Sequence, residues 1–390
     1  MLGWEFPPYI SGGLGTYLYN FTKELSKKAD KIYFLMPFPS AAKPDFNMEF
    51  AGENNNMEII CLDSKSFSPY HASAANRLIS TESEKELLPY GLDFLENVKA
   101  YTDKAVKTAL SLDFDIIHAH DWMTFPAAME IARLAKKPFI ATIHSTEYDR
   151  GAFISLNSYI MEIEKAGLHR ANKVITVSKR MKNYLVQLYG IPESKISVIY
   201  NGIVRKGRIA DNDSGKKMVL FVGRLTIQKG CDYFLEAAKL AIGKDPEMSF
   251  VVVGQGDMLP QLINQSIRLG ISNNVFFTGF EEDVDKYYRA AGLFVMPSVS
   301  EPFGLTAVEA ISNGIPAIIS KTSGTAEVLS HAFKTDFWDT REMANQMLGI
   351  VKYPALKQEM RKNSLIETER LNTWNDVAEQ TMATYREVLA

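Results

Sequence analysis

Residues 298–310, SVSEPFGLTAVEA, place two glutamates, Glu301 and Glu309, on either side of a break made by Pro302, Phe303 and Gly304. Two carboxylates so close in sequence could work as an acid and a base, or each could accept hydrogen bonds from ligand hydroxyls. The apolar run 293–296 before them reads as a buried strand, and the residues from Leu305 onward read as a helix. Glu301 then lies in the loop and Glu309 more than a turn inside the helix. They share no helical face, so the spacing favours two separate contacts to one extended ligand. The N–H groups of Gly304, Leu305 and Thr306 at the helix start have no intrahelical acceptor, and with the helix dipole behind them they suit a phosphate.

Cations for the same anion stand upstream. In VLFVGRLTIQKG, a buried strand, 219–222, runs into Gly223 and then presents Arg224 and Lys229 on a short loop before a helix. A guanidinium that can bind two oxygens at once, together with a point-charge ammonium, matches a diphosphate. A solvated charged loop is the alternative. Nearer the N-terminus, SGGLG offers Gly12, Gly13 and Gly15 ahead of a helix expected from about Thr16; bare glycine backbone lets a ligand approach closely, although such loops also serve simply to turn the chain.

Histidines mark two further strand ends. DIIHAHDW closes one strand with His118, His120, Asp121 and Trp122, and PFIATIHS closes the next with His144. A histidine at a strand tip can donate to a sugar hydroxyl or a developing charge. His120 and Asp121 are read as ligand contacts, with a hydrogen-bonded core histidine as the alternative. His118 and His120 share a strand face, but with Asp121 and His144 they complete no zinc spacing, so no metal site is expected.

The elements that must hold these residues alternate. Strands are expected at 32–36, 115–118, 139–144, 173–177, 196–199, 218–222, 249–253, 275–277, 293–296 and 317–320, with helices such as 16–28, 95–112, 233–242 and 283–291 between them. Strand–helix alternation implies parallel sheets covered on both faces, a doubly wound α/β architecture whose ligands bind beyond the carboxyl ends of the strands. At 390 residues the chain is long for one core. The polar stretch 201–217 reads as a linker between two Rossmann-like domains facing a deep cleft: 1–205, and 206–372, with 373–390 as an amphipathic helix crossing back to the first. Residues 40–85 read as an irregular surface excursion. Only MLGWEF precedes the first glycine loop, where a full strand is expected, and the numbered chain is therefore expected to begin late within that strand.

Composition narrows the partners. The net charge of −3 is balanced along the chain and no polybasic segment occurs, which argues against a nucleic-acid or anionic-lipid surface. No apolar run approaches the ~20 residues of a membrane span, and no signal peptide is visible. Two isolated cysteines, Cys61 and Cys231, make no disulfide framework and point to a reducing, cytoplasmic compartment.

Taken together, EFPPYISGGLG, HAHDWMT, TIHS, VITVSKRM, VIYNGI, FVGRLTIQKG, VVVGQGD and SEPFGLTAVEA resemble a retaining glycosyltransferase of the two-domain GT-B fold, similar to glycosyltransferase family 4 and to the glycogen and starch synthases. The resemblance runs from end to end and implies residue roles. Arg224 and Lys229 would hold the diphosphate of a nucleotide sugar, helped by the amides of Gly304, Leu305 and Thr306 and by Gly12 and Gly13. Glu309 would bind the ribose and Glu301 the donor sugar; His144 would stand at the reacting face, with His120 and Asp121 near sugar or acceptor. It further implies a metal-independent reaction without cofactor, a donor such as ADP- or UDP-glucose, and a glycan acceptor, an α-1,4-glucan first. Base recognition would fall around 254–256 and 280–283. Alternatives are a family member building surface polysaccharide or lipid-linked glycan, a nucleotide-sugar epimerase, or a phosphorylase. One departure stands out: the lysine that glycogen synthases commonly carry in a Lys-x-Gly-Gly loop is replaced by Ile10.

Overall fold

The computed structural model describes residues 1–7, 12–37, 56–62, 91–205 and 217–390. Ile10, most of the 40–85 excursion and linker residues 206–216 lie outside them. The chain forms two compact units. The first comprises Met1–Tyr148, Ser155–Gly202 and Trp374–Ala390, and the second Asp149–Ile154 and Ile203–Thr373. The sequence division at 205/206 thus compares with a change of unit after Gly202, and a short piece, Asp149–Ile154, belongs with the second unit.

The first unit begins with α1 (Gly13–Leu25), followed by strands β1 (Ile32–Met36), β2 (Met57–Cys61), β3 (Ile117–His120), β4 (Phe139–Ile143), β5 (Lys173–Thr176) and β6 (Ile196–Val198). All pairings are parallel, β1 with β2, and β3 through β6 in sequence order. Leu2 joins the two sets by bridging Leu35 on one side and Ala119 on the other, so residues 1–3 occupy the first-strand position that the sequence requires. β4, FIATI, is buried at every residue, as expected of a strand covered on both faces.

The second unit is one parallel six-stranded sheet. Its strands are β7 (Met218–Val222), β8 (Ser249–Val253), β9 (Val275–Gly279), β10 (Leu293–Met296), β11 (Ala317–Ser320) and β12 (Phe333–Thr335), in the order β12-β11-β10-β7-β8-β9. Two cores line its faces, one around Phe234, Phe250 and Val295, the other around Leu220, Phe294 and Ile319. The order reverses between β7 and β10. In an open parallel sheet, such a reversal splays the connecting loops to opposite sides and leaves a crevice at the carboxyl ends of the two strands. The loop helix that follows β10 is α2 (Leu305–Ser312), and the chain ends with α3 (Trp374–Leu389), which belongs to the first unit.

Two strands escaped the sequence reading. β2 lies within a polar stretch, and its MEIIC carries no alternation; β12 is three residues long. The first helix also starts earlier than expected, at Gly13 instead of about Thr16, because helical backbone tolerates glycine in its first turn, where tertiary contacts set the boundary.

Candidate functional site

The carboxyl ends of β7 and β10 are where the second unit gathers its sequence-predicted residues. β7 leads into Gly223 and Arg224, then a single 3₁₀ turn, Ile227–Lys229. β10 leads into the serine-rich loop and Glu301. The two loops are tied together: Val299 N–H donates to Gln228 O at 2.9 Å, and Gly230, at φ +64°, packs so closely that a Cβ would stand 2.2 Å from Pro297 O. Lys229 is thereby brought to Glu301. Its Nζ lies 2.6 Å from Oε2, which also accepts from Ser298 Oγ at 3.1 Å.

Glu301 is held from behind by a segment that sequence reasoning missed, the loop after β11. Glu301 N–H donates to Thr322 O, Gly324 N–H donates to Glu301 O, and Thr325 N–H donates to Phe303 O. Thr322 Oγ1 reaches back to Ser298 O at 3.0 Å. Ser300 Oγ donates to the buried carboxylate of Asp149 at 2.5 Å, which attaches Asp149–Ile154 to this unit. The signal available in the sequence was the run of hydroxyls in SKTSGT, whose partners are fixed only by tertiary folding.

α2 begins directly after the loop that follows β10, so the amides of Leu305 and Thr306 occupy its first turn. Its N-cap Gly304 sits at φ +112°, with Met296 Cε 2.8 Å and Thr325 Oγ1 3.1 Å from where a Cβ would be. Only glycine fits there without displacement. Glu309, deeper in α2, receives Tyr288 Oη at 3.0 Å, and the same hydroxyl lies 3.2 Å from Thr306 O. Tyr288 is buried, and burial with the Glu309 charge beside it pushes its phenol well above the usual range. It is therefore a fixed neutral donor that clamps Glu309, and no sequence signal marked it. Around the expected base-recognition region, Gly254 at φ +139° lies against Gly223 O, where a Cβ would be 1.9 Å away, while Phe280 is exposed.

The remaining predicted residues belong to the first unit. Gly12 is the N-cap of α1 in extended backbone, and Gly13 is its first helical residue. A buried carboxylate, Glu5, accepts the Gly15 N–H at 3.2 Å and so occupies part of the helix start that the sequence reading kept for a ligand. Tyr17 in α1 packs edge-on against the His144 ring, with centroids 4.3 Å apart.

His118 is a core histidine, its two nitrogens 2.6 Å from Tyr385 Oη and 2.6 Å from Thr142 Oγ1. His120 was read as a sugar or acceptor contact. It is completely buried and its Nδ1 faces His144 Nε2 at 3.1 Å. The strand register explains this, since His120 pairs with Thr142 and His144 lies two residues further along the neighbouring strand's path. Asp121, at φ +63°, accepts the His144 backbone N–H at 2.7 Å and donates its own N–H to Thr142 O. His144 keeps some exposure, and burial pulls its imidazole down to about 3, so it is neutral near pH 7. Among the described residues no group of three or more His, Cys, Asp or Glu is arranged to hold a metal ion, and no helix is long and apolar enough to cross a membrane.

Comparison with known proteins follows this division. A family model described as Glycosyltransferase Family 4 matches residues 11–205, half of the chain, and one described as Glycosyl transferases group 1 matches residues 206–365. An uncharacterized glycosyltransferase of Methanocaldococcus jannaschii is 26% identical over 407 residues, covering 99% of this chain and 97% of the relative. Glycogen synthase of Mycobacterium tuberculosis is 25% identical over 351 residues, 84% of this chain and 79% of its own. Among solved structures, Anabaena HepE in complex with UDP-glucose is similar with a TM-score of 0.75 at 19% identity, covering 99% of this chain and 98% of that one.

Proposed function

The chain belongs to glycosyltransferase family 4 and has the GT-B architecture of two Rossmann-like domains, and on that premise we propose that it transfers a glucosyl group from a nucleoside-diphosphate glucose to an α-1,4-glucan with retention at the anomeric carbon. The observation that carries this reading is the convergence of Arg224, Lys229, Glu301 and the start of α2 on the β7/β10 switch point. A departing diphosphate needs positive charge and N–H donors, and both are present there. Arg224, Lys229 and the Leu305 and Thr306 amides take up its growing charge, and the reaction needs no metal or other cofactor. Glu301 holds hydroxyls of the donor sugar, and Glu309, clamped by Tyr288, holds those of the ribose.

Retention follows from same-face attack. The acceptor hydroxyl bonds to the anomeric carbon on the side from which the diphosphate leaves, and the leaving phosphate oxygen takes the hydroxyl proton. The glucosyl assignment draws support from HepE, whose structure contains UDP-glucose, and the glucan acceptor from the glycogen synthase relative. The cysteines Cys61 and Cys231, too few for a disulfide framework, fit a cytoplasmic setting.

A panel of ADP-, UDP- and GDP-sugars, with and without glycogen and with and without chelator, tests this by nucleotide release. Release that depends on glycogen and survives chelation is the expected result. Release only with a lipid-linked or surface-polysaccharide acceptor would move the enzyme to that branch of the family. Conversion of the sugar nucleotide with no acceptor would make it an epimerase.

A further inference from the structure

The contact between His120 and His144 contains a choice that the surroundings decide. Two neutral imidazoles joined by one hydrogen bond must divide the roles, one donating and the other accepting. Burial holds His120 well below the ordinary histidine range and His144 at about 3, so each ring carries a single N–H near neutral pH. If His144 donated from Nε2, His120 would carry its own hydrogen on the opposite nitrogen. That atom, His120 Nε2, is buried with no hydrogen-bond partner among the described residues. An orphaned N–H in a protein interior is rarer and costlier than an orphaned lone pair. If His120 donates from Nδ1 instead, only a lone pair is left in the core, and the penalty falls.

Other aromatic rings surround the pair. The two rings lie nearly parallel, 18° between planes, and His120 is pressed on its other side against His118 at 4.2 Å between centroids, which is itself fixed between Tyr385 and Thr142. Tyr17 and Phe21 close the remaining edges. We propose that His120 is a positioning residue that fixes His144 in the tautomer bearing hydrogen on Nδ1, so that His144 meets its ligand as a donor and not as an acceptor. Its counterpart must then be an oxygen lone pair, on a sugar hydroxyl or a diphosphate. What His144 touches rests on the proposed transferase reading; the tautomer does not.

The full chain, labelled with ¹⁵N in its histidines, tests the tautomer directly through long-range proton–nitrogen correlation, with His144 assigned by comparison with His144→Gln. The expected spectrum has pyrrole-type Nδ1 and pyridine-type Nε2 for both His144 and His120. In His120→Leu, the His144 pattern should shift toward hydrogen on Nε2, and turnover should fall by about tenfold or more with donor KM little changed. His120→Asn, whose amide N–H stands near the lost Nδ1–H, should restore the Nδ1–H pattern and most of the turnover. A wild-type His144 carrying hydrogen on Nε2 overturns the proposal, as does His120→Leu with both spectrum and turnover unchanged. Should His120→Leu fail to fold, the wild-type spectrum and the Asn variant decide alone. The spectrum needs no substrate, so a failed donor panel would sink the transferase reading and leave this one standing.

Discussion

Lys229 and Glu301, 72 positions apart in the chain, meet in an ion pair of 2.6 Å at the joined ends of β7 and β10. The residue proposed for the diphosphate and the residue proposed for the sugar therefore hold one another in place, and Ser298 supports the same oxygen. Binding of a donor would redirect groups that are already fixed, which is the economy of a preorganised site.

That relationship separates Lys229 from Arg224 experimentally. Arg224→Ala and Lys229→Ala should each lower turnover by roughly 10²–10³, the loss typical of one preorganised donor to a developing anion. Lys229→Ala should also lower stability by about 1–3 kcal/mol, because the Glu301 carboxylate, 8% exposed, loses its cation. Turnover assays beside denaturant melts check both; near wild-type turnover in either variant would remove the diphosphate assignment.

Glu301→Gln retains an oxygen that can accept from Lys229 and Ser298 and removes the charge. Turnover is expected to fall more than nucleotide affinity. Nucleotide binding by calorimetry beside kcat distinguishes the outcomes, and equal losses would contradict the division of sugar and ribose between Glu301 and Glu309.

Tyr288→Phe deletes the hydroxyl that clamps Glu309 and leaves the buried ring in place. Donor KM should rise several-fold, consistent with ~1 kcal/mol for one neutral hydrogen bond, while the melting temperature changes little. An unchanged KM would show that Glu309 does not contact the donor.

Gly304→Ala forces a side chain into φ +112° and against Met296 Cε at 2.8 Å. A loss of about 1–3 kcal/mol in stability is expected from the backbone alone, together with weaker donor binding as the first turn of α2 shifts. A fully stable, fully active variant would show that the loop tolerates displacement.

Acid should weaken the first unit through its histidines. The unfolded imidazole titrates near 6.5, whereas burial holds His118 and His120 well below that and His144 at about 3. The folded form then binds fewer protons than the unfolded form between these values. The contribution is complete above pH ~6.5 and is lost progressively as pH falls, on the order of 1 kcal/mol per pH unit for each imidazole that stays neutral. Melts between pH 7.5 and 5 should show this slope, shallower in His144→Gln; identical slopes would exclude His144 from it.

Strand periodicity and the glycine, proline and cation spacing made the doubly wound sheets and the SEPFGLT turn legible before any coordinates. Arg224, Lys229 and Glu301 were legible as candidates from their polar places just past apolar strands, and Glu309 from its place in the helix after the glycine break. Tyr288 and the 320–325 loop were not, since an ordinary tyrosine and a run of hydroxyls acquire meaning only through partners distant in sequence. The surroundings of His120 were hidden as well. β3 is buried at every residue, so alternation along it could not tell a ring that meets neighbouring side chains from one that meets a ligand.

The C-terminal helix α3 supplies Trp374 against Tyr17 and Tyr385 against His118, so residues from both extremities of the sequence complete one core. In the order of synthesis, the parts of this unit up to Gly202 precede the helix that completes their core, with the long segment of the second unit between them. The histidine-lined interior therefore depends on Trp374 and Tyr385, which the chain supplies only after Ile203–Thr373.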